Sequence, residues 1–131
     1  MPFALVLTAV LFVLAVFQFA LVIGAPLGHF AWGGRHRVLP ARLRVGSAVS
    51  IVVYAFIVAI AWDRVGLIDV FGAQFSEVAM WVVFGYLALG ILMNAVSRSV
   101  AERALMVPVS IVLAGCSLLI ALGYGELATA A

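Results

Sequence analysis

Four long apolar runs divide the chain into predicted membrane spans. They lie at about 3–24, 45–62, 78–96 and 104–123, and none contains Asp, Glu, Arg, Lys or His. About 20 apolar residues in a helix cross a hydrocarbon core of about 30 Å, and the helix satisfies its own backbone there. Because each run is apolar on all sides instead of alternating, a β-barrel is excluded. The pattern predicts an all-α integral membrane protein: one membrane domain, 1–131, folded as a four-transmembrane-helix bundle.

The first apolar run begins where a secretory signal peptide would also lie. A signal peptide needs a basic start and a short apolar core of about 7–15 residues. Here Met1–Phe3 carry no side-chain charge, and the apolar run continues to Ile23. We therefore expect a retained membrane helix.

The charged residues are distributed unequally among the segments outside the runs. The links are 25–44, 63–77 and 97–103, and a tail follows at 124–131. Four crossings place the first and third links on the same side of the membrane, and these two links hold six of the seven arginines. The positive-inside rule makes that side cytoplasmic, which leaves both termini outside. Arginine without any lysine, together with abundant alanine and valine, is typical of GC-rich bacterial coding. The expected location is a bacterial inner (cytoplasmic) membrane.

The second and fourth runs resemble each other. When 48–61 is aligned with 108–121, six of fourteen positions match, including the Val-Ser-Ile-Val sequence that begins at Val49 and again at Val109. A tandem duplication would produce two helical hairpins related by a pseudo-twofold axis along the membrane normal. Shared membrane composition is the alternative, because the first and third runs align poorly.

Composition excludes several classes of function. The net charge of +2 is too small for a nucleic-acid-binding surface, and 68% of the residues are hydrophobic. Cys116 is the only cysteine, and neither His29 nor His36 has a cysteine or carboxylate beside it, so no metal site or cofactor is predicted. No acid–base constellation indicates an enzyme.

Polar residues within the runs form a candidate vestibule in the cytoplasmic half of the bundle. Helical spacing places two stripes of them on single faces of the second and third helices. The candidate vestibule residues are Gln18, Ser50, Tyr54, Tyr86, Asn94 and Ser110. The alternative is that these side chains only join helices by hydrogen bonds, worth about 0.6 kcal/mol per pair.

Arginines surround the mouth of this predicted vestibule. They are Arg35, Arg37, Arg42, Arg44, Arg98 and Arg103. Such a cluster could attract an anionic solute or an anionic lipid headgroup at the cytoplasmic face, or it could only fix the topology. The first link, with its glycines and prolines, predicts defined turns and could fold back against the bundle and gate it.

The fourth helix has a predicted start and a predicted irregularity. Ser99 and Glu102 have the spacing of a capping box, in which the two residues satisfy the first free amides of a helix. Pro108 then falls about two turns into the helix, where it removes one backbone hydrogen bond. We expect the helix to begin at this cap, ahead of its apolar run.

Three functions remain compatible with the sequence. An accessory or assembly subunit of a larger membrane complex is favoured, because it needs only helix-packing faces and an arginine-rich loop. The alternatives are a homo-oligomeric small channel or transporter for a neutral or anionic solute, and a lipid-headgroup-binding protein. The runs contain no charged residue, which argues against proton-coupled pumps and drug exporters. Expected partners are the lipid bilayer and either further copies of the chain or another membrane protein.

Overall fold

The protein is a bundle of four helices, each long and apolar enough to cross a membrane. The computed structural model describes residues 2–32, 36, 38–97 and 99–123, and within these ranges it contains no strand. The helices are α1 (Pro2–Val22), α2 (Ala41–Arg64), α3 (Ala73–Ala95) and α4 (Val100–Ala121). With 21 to 24 residues each, they measure about 32–36 Å along their axes. The predicted four-helix membrane bundle is confirmed.

The helices extend beyond the apolar runs. α2 begins at Ala41, ahead of the run that starts at 45, because Pro40 caps it and its carbonyl accepts from the amides of Leu43 and Arg44. α3 begins at Ala73 and not at 78, directly after Gly72. α4 begins at the predicted cap, where the Ser99 hydroxyl accepts from the amide of Glu102. Hydropathy marks the part of a helix that lies in lipid, whereas hydrogen bonding continues outside it.

Two glycines end helices at positions that a side chain would disfavour. Gly24 and Gly66 have φ of +94° and +87°, and each lies just beyond a helix end. The amide of Ala25 donates a hydrogen bond to the Ala20 carbonyl, and the amide of Leu67 donates one to the Trp62 carbonyl, both at 2.9 Å. This closure satisfies carbonyls that a helix end leaves free and needs the left-handed conformation that glycine adopts easily. The chain therefore leaves α1 and α2 through defined turns.

Neighbouring helices along the chain are also neighbours in space. α1 packs beside α2, α2 beside α3 and α3 beside α4, and α4 closes the ring against α1. The contacts are most extensive within the α3–α4 and α1–α2 hairpins. The relation of these hairpins by a pseudo-twofold axis stays a prediction.

The main hydrophobic core occupies only one end of the bundle. It consists of Ala4, Leu7, Leu11, Ile57, Ala61, Val65, Met80, Val83, Leu87, Leu113, Ala114, Cys116, Ile120 and Ala121. These residues come from the beginnings of α1 and α3 and the ends of α2 and α4, which meet at the same end of an antiparallel bundle. We call this the closed end. The opposite end, which carries Arg42, Arg44 and Arg103, is called the arginine-rich end.

The first link folds against the arginine-rich end. Its short 3₁₀ helix, Gly28–Phe30, packs on α4. Ala31 and Leu39 are buried and form a second small core with Leu21 of α1. The described part of the link, 25–32, 36 and 38–44, therefore packs against the bundle, while its gating role stays a prediction.

Candidate functional site

A cavity of about 740 Å³ occupies the arginine-rich half of the bundle. All four helices line it, and the first link contributes Phe30, Ala31, Trp32 and His36. This volume falls in the range of about 300–1,000 Å³ that is usual for small-molecule sites. The cavity adjoins the main hydrophobic core, whose Leu87 and Leu113 form part of its wall, and the two ends of the bundle are packed differently.

The structure brings the six predicted vestibule residues together around this cavity. Gln18, Ser50, Tyr54, Tyr86, Asn94 and Ser110 all line it. They come from four different helices, so their convergence depends on how the helices are arranged around one another. Helical spacing alone could indicate only which of them share a face of α2 or of α3.

Several of these side chains are also hydrogen-bonded within a hairpin. Gln18 donates from Nε2 to Tyr54 Oη at 3.3 Å, which joins α1 to α2. Asn94 donates from Nδ2 to Ser110 Oγ at 2.6 Å, which joins α3 to α4. Ser50 donates to the carbonyl of Gly46 in its own helix at 3.0 Å. The residues therefore join helices and line the cavity at the same time.

Gln18 has one buried acceptor that these bonds leave unused. Its Oε1 is inaccessible and has no hydrogen-bond partner in the part of the chain that the structure describes. A buried acceptor without a donor costs about 1–3 kcal/mol. Gln18 therefore leaves a buried acceptor unsatisfied beside the cavity that this residue lines.

One wall of the cavity is formed by an exposed face of α3. Tyr86, Leu89, Met93 and Val96 line it and are each more than half exposed. Their spacing of i, i+3, i+7 and i+10 puts them on one stripe of the helix. None of residues 88–96 is buried. This wall therefore belongs to a helix that is long and apolar enough to cross a membrane.

The predicted arginine cluster separates into different roles. Arg42 lines the cavity. Arg44 donates from Nε to the Leu39 carbonyl at 2.8 Å, and Arg103 donates from Nη1 to the Ser97 carbonyl at 2.6 Å. These two arginines fasten the chain at the ends of the links. The remaining members, Arg35, Arg37 and Arg98, lie outside the described residues.

Glu102 belongs to the cavity, although the sequence indicated only a capping role for it. It lines the cavity and is 6% exposed. The cap itself uses the main-chain amide of Glu102, which donates to Ser99 Oγ at 3.2 Å. The signal that could have found this residue is spacing, because Glu102 lies eight residues before Ser110 on the same face of α4.

Trp32 holds the first link onto α2 beside the cavity. Its indole Nε1 donates to Oγ of the fully buried Ser47 at 3.1 Å. A Cβ at Gly46 would come within 2.9 Å of the Trp32 ring, so glycine allows this approach. Trp32 has φ of +53°, an uncommon conformation for a residue with a side chain. Sequence patterns missed this contact because its partners are 15 residues apart and in different elements.

The arrangement is suited to binding. Among the described residues, no group of three or more His, Cys, Asp or Glu could hold a metal ion. The cavity instead combines amide, hydroxyl and phenol groups with apolar walls and two oppositely charged side chains, Arg42 and Glu102. Comparison with known protein families, with curated proteins and with solved structures finds no match for this chain.

Proposed function

We propose that this protein binds a lipid-like amphiphilic molecule in the cavity, with the polar part of the molecule at the arginine-rich end. The observation that supports this is the α3 wall of the cavity, which is formed by residues such as Leu89 and Met93 that are also exposed on the surface of the bundle. An exposed wall of this kind in a membrane helix would face acyl chains, so we expect a ligand to reach the cavity from the bilayer. A water-soluble solute would instead need an entrance at the arginine-rich end of the bundle.

The dimensions of the cavity support a ligand that lies in one leaflet. Along α2 it extends from Arg42 to Tyr54, which corresponds to about 18 Å of helix. One leaflet contributes about half of a hydrocarbon core of about 30 Å. A headgroup near Arg42 would therefore leave its chains beside the apolar α3 stripe.

The proposal also includes the membrane and the leaflet in which the ligand lies, and the arginine distribution supports both. The positive-inside rule favours a cytoplasmic arginine-rich end, in a bacterial inner membrane. The ligand would then be a lipid of the cytoplasmic leaflet of that membrane. An accessory subunit and a homo-oligomeric channel for a neutral or anionic solute remain the alternatives.

The test fills the cavity at a glycine. Gly90 lines the cavity, and a Cβ built there has no atom within 4 Å, so Gly90→Leu adds a side chain into open space. Gly85 on the same helix also has open space around it and does not line the cavity, so Gly85→Leu is the matched control. Both variants replace glycine in a helix interior, which removes the usual glycine penalty.

Native mass spectrometry of the detergent-purified protein, titrated with phospholipid, measures the binding. We expect a stoichiometric bound phospholipid in the wild type and in Gly85→Leu, and affinity at least about tenfold weaker in Gly90→Leu, which corresponds to about 1.4 kcal/mol. Equal lipid binding by the two variants would contradict the proposed function. Stable association with another protein, unaffected by Gly90→Leu and without site-bound lipid, would favour the accessory subunit instead.

A further inference from the structure

Resting on that proposed function, we infer that the ligand is a single-chain amphiphile, such as a monoacyl phospholipid, whose acyl chain ends against the main hydrophobic core. The cavity is deep enough for one chain of about ten carbons below a glycerol-phosphate group. Its volume leaves no room for a second chain. A phospholipid with two chains would have to keep one of them outside.

The inner boundary of the cavity is made by one residue from each helix. Leu87 of α3 and Leu113 of α4 line the cavity and belong to the main hydrophobic core. Leu14 of α1 and Tyr54 of α2 also line the cavity, and they pack against that core. On α1, α2 and α4 these are the described lining residues nearest to the closed end. We call these four residues the floor of the cavity.

The side chains that can carry charge near neutral pH line the opposite end of the cavity. Among the described lining residues they are His36, Arg42 and Glu102. His36 belongs to the first link, and the other two lie in the first turns of α2 and α4. The described lining is therefore polar and ionisable at one end and uncharged towards the floor, which suits an amphiphile with its polar group at the arginine-rich end.

The polar side chains between the two ends have hydrogen-bond partners within the protein. Asn94 donates to Ser110 at 2.6 Å. Gln18 donates to Tyr54 at 3.3 Å, and Ser50 donates to a main-chain carbonyl of its own helix at 3.0 Å. A donor that is already paired does not lose a partner when an apolar group lies beside it. An acyl chain can therefore pass these side chains on its way to the floor.

The depth of the cavity gives the length of the chain. The lining extends from Arg42 to Tyr54 on α2 and from Glu102 to Leu113 on α4, which corresponds to about 16–18 Å of helix. An extended polypeptide advances at most about 3.6 Å per residue, or about 1.2 Å per bond, and a hydrocarbon chain has similar geometry, so about 14–15 bonds fit. A phosphate and glycerol ester use about five of them, which leaves an acyl chain of about ten carbons.

The volume of the cavity gives the same size independently. A water molecule occupies about 30 Å³ in the liquid, and a methylene group, which also has one non-hydrogen atom, is of similar size. A cavity of about 740 Å³ therefore holds about 25 non-hydrogen atoms. A phosphatidylcholine with one ten-carbon chain has about 27 such atoms, whereas one with two chains has about 38 and needs about 1,100 Å³. One chain fits, and two do not.

The first experiment compares one acyl chain with two. The whole protein is titrated with lysophosphatidylcholine and with phosphatidylcholine that carry the same ten-carbon chain, and native mass spectrometry measures the bound lipid. We expect the one-chain lipid to bind at least about tenfold more tightly. Equal or tighter binding of the two-chain lipid would overturn the single-chain ligand.

The second experiment tests whether the floor sets the chain length. Wild-type protein titrated with lysophosphatidylcholines of increasing chain length should gain affinity up to about ten carbons and not beyond. Leu113→Ala leaves space at the floor, because a core collapses only partly around a truncated side chain, and this limit should rise by about two carbons. The matched control is Leu7→Ala, which truncates a fully buried residue of the same core that does not line the cavity. It should keep the wild-type limit.

A second floor variant keeps the test independent of one substitution. Leu87→Ala opens the floor from α3 and should raise the limit in the same way. The detergent competes for each lipid equally in all of these proteins, so the difference between variants reports the floor alone. A monodisperse elution profile and unchanged helical circular dichroism show that a variant is folded. An unchanged limit in the folded floor variants, or an equal rise in Leu7→Ala, would overturn the inferred position of the chain.

Failure of this inference is distinguishable from failure of the proposed function. Tighter binding of the two-chain lipid, with Gly90→Leu still defective, would overturn the single-chain ligand and leave the proposed function standing. Failure of Gly90→Leu to weaken either lipid would overturn the proposed function itself.

Discussion

The contact between Trp32 and Gly46 gives a quantitative prediction about the wall of the cavity. In Gly46→Ala, the new Cβ would lie 2.9 Å from both Cη2 and Cζ2 of the Trp32 ring. Real Cβ atoms do not approach this closely, so the indole must move. Its movement pulls Nε1 away from Ser47 Oγ, which it now reaches at 3.1 Å. Because Trp32 lines the cavity, the wall changes with it.

Two opposing terms set the size of this effect. Alanine in a helix interior is favoured over glycine by about 0.5–1 kcal/mol. Against this, the Ser47 hydroxyl is fully buried, and a buried polar group that loses its partner costs about 1–3 kcal/mol. Gly115→Ala is the matched control, because Gly115 is also inside a helix and its added Cβ meets nothing within 4 Å. The difference between the two variants therefore measures the cost of the lost Trp32–Ser47 hydrogen bond. We therefore expect Gly46→Ala to be less stable than Gly115→Ala by about 1–3 kcal/mol.

Unfolding in mixed micelles and tryptophan fluorescence check this expectation. Trp62 and Trp81 are replaced by phenylalanine in every sample, so that Trp32 is the only remaining tryptophan. Gly46→Ala should shift the Trp32 emission and increase its quenching by iodide, while Gly115→Ala should change neither. Equal free energies of unfolding for the two variants, with unchanged Trp32 emission, would refute the packing argument.

Two other predictions concern the rest of the bundle. Asp63→Ala should lower the free energy of unfolding by about 1–3 kcal/mol, because the Asp63 carboxylate accepts from the amides of Val70 and Phe71 at 2.7 and 2.8 Å and so holds the α2–α3 link against α2. The control Asp69→Ala, at an exposed position of the same link, should change the free energy of unfolding by less than about 0.5 kcal/mol. Equal effects of the two substitutions would contradict the role of the Asp63 hydrogen bonds. A reporter that is active only outside the cytoplasm should be active when fused after residue 131 and inactive when fused at Ser97, and the opposite pattern would reverse the expected orientation.

The fold could be predicted from the sequence because the membrane restricts the possible structures. A charge-free run such as 3–24 has few stable forms in lipid other than a helix. The helix boundaries were less predictable. α2 begins at Ala41, ahead of the apolar run, because Pro40 caps it there. Hydropathy gives no information about helix caps. A cap with a clear side-chain signature, Ser99, was predictable and is confirmed.

The cavity was predictable only in part, for a related physical reason. Polar residues are rare in apolar spans, so Gln18 and Asn94 stood out, and the structure places both on one cavity. Glu102 did not stand out, because a carboxylate at the start of a helix has a sufficient local explanation in capping. Its second role depends on the arrangement of α4 relative to its neighbours. Trp32 was missed for the same reason, since Gly46 and Ser47 have no local signature that identifies their partner.

The unequal packing of the two ends argues against helix association as the whole role of the polar residues. If those residues served only to join helices, the arginine-rich half would be expected to close around them, as the closed end does around Leu7, Met80 and Ile120. Instead a cavity of about 740 Å³ remains there, with an unpartnered Gln18 acceptor among the described residues. Both the cavity and the unpartnered acceptor lower stability in the unliganded protein. The closed end can support them because its core involves all four helices, which leaves the other half available for a ligand.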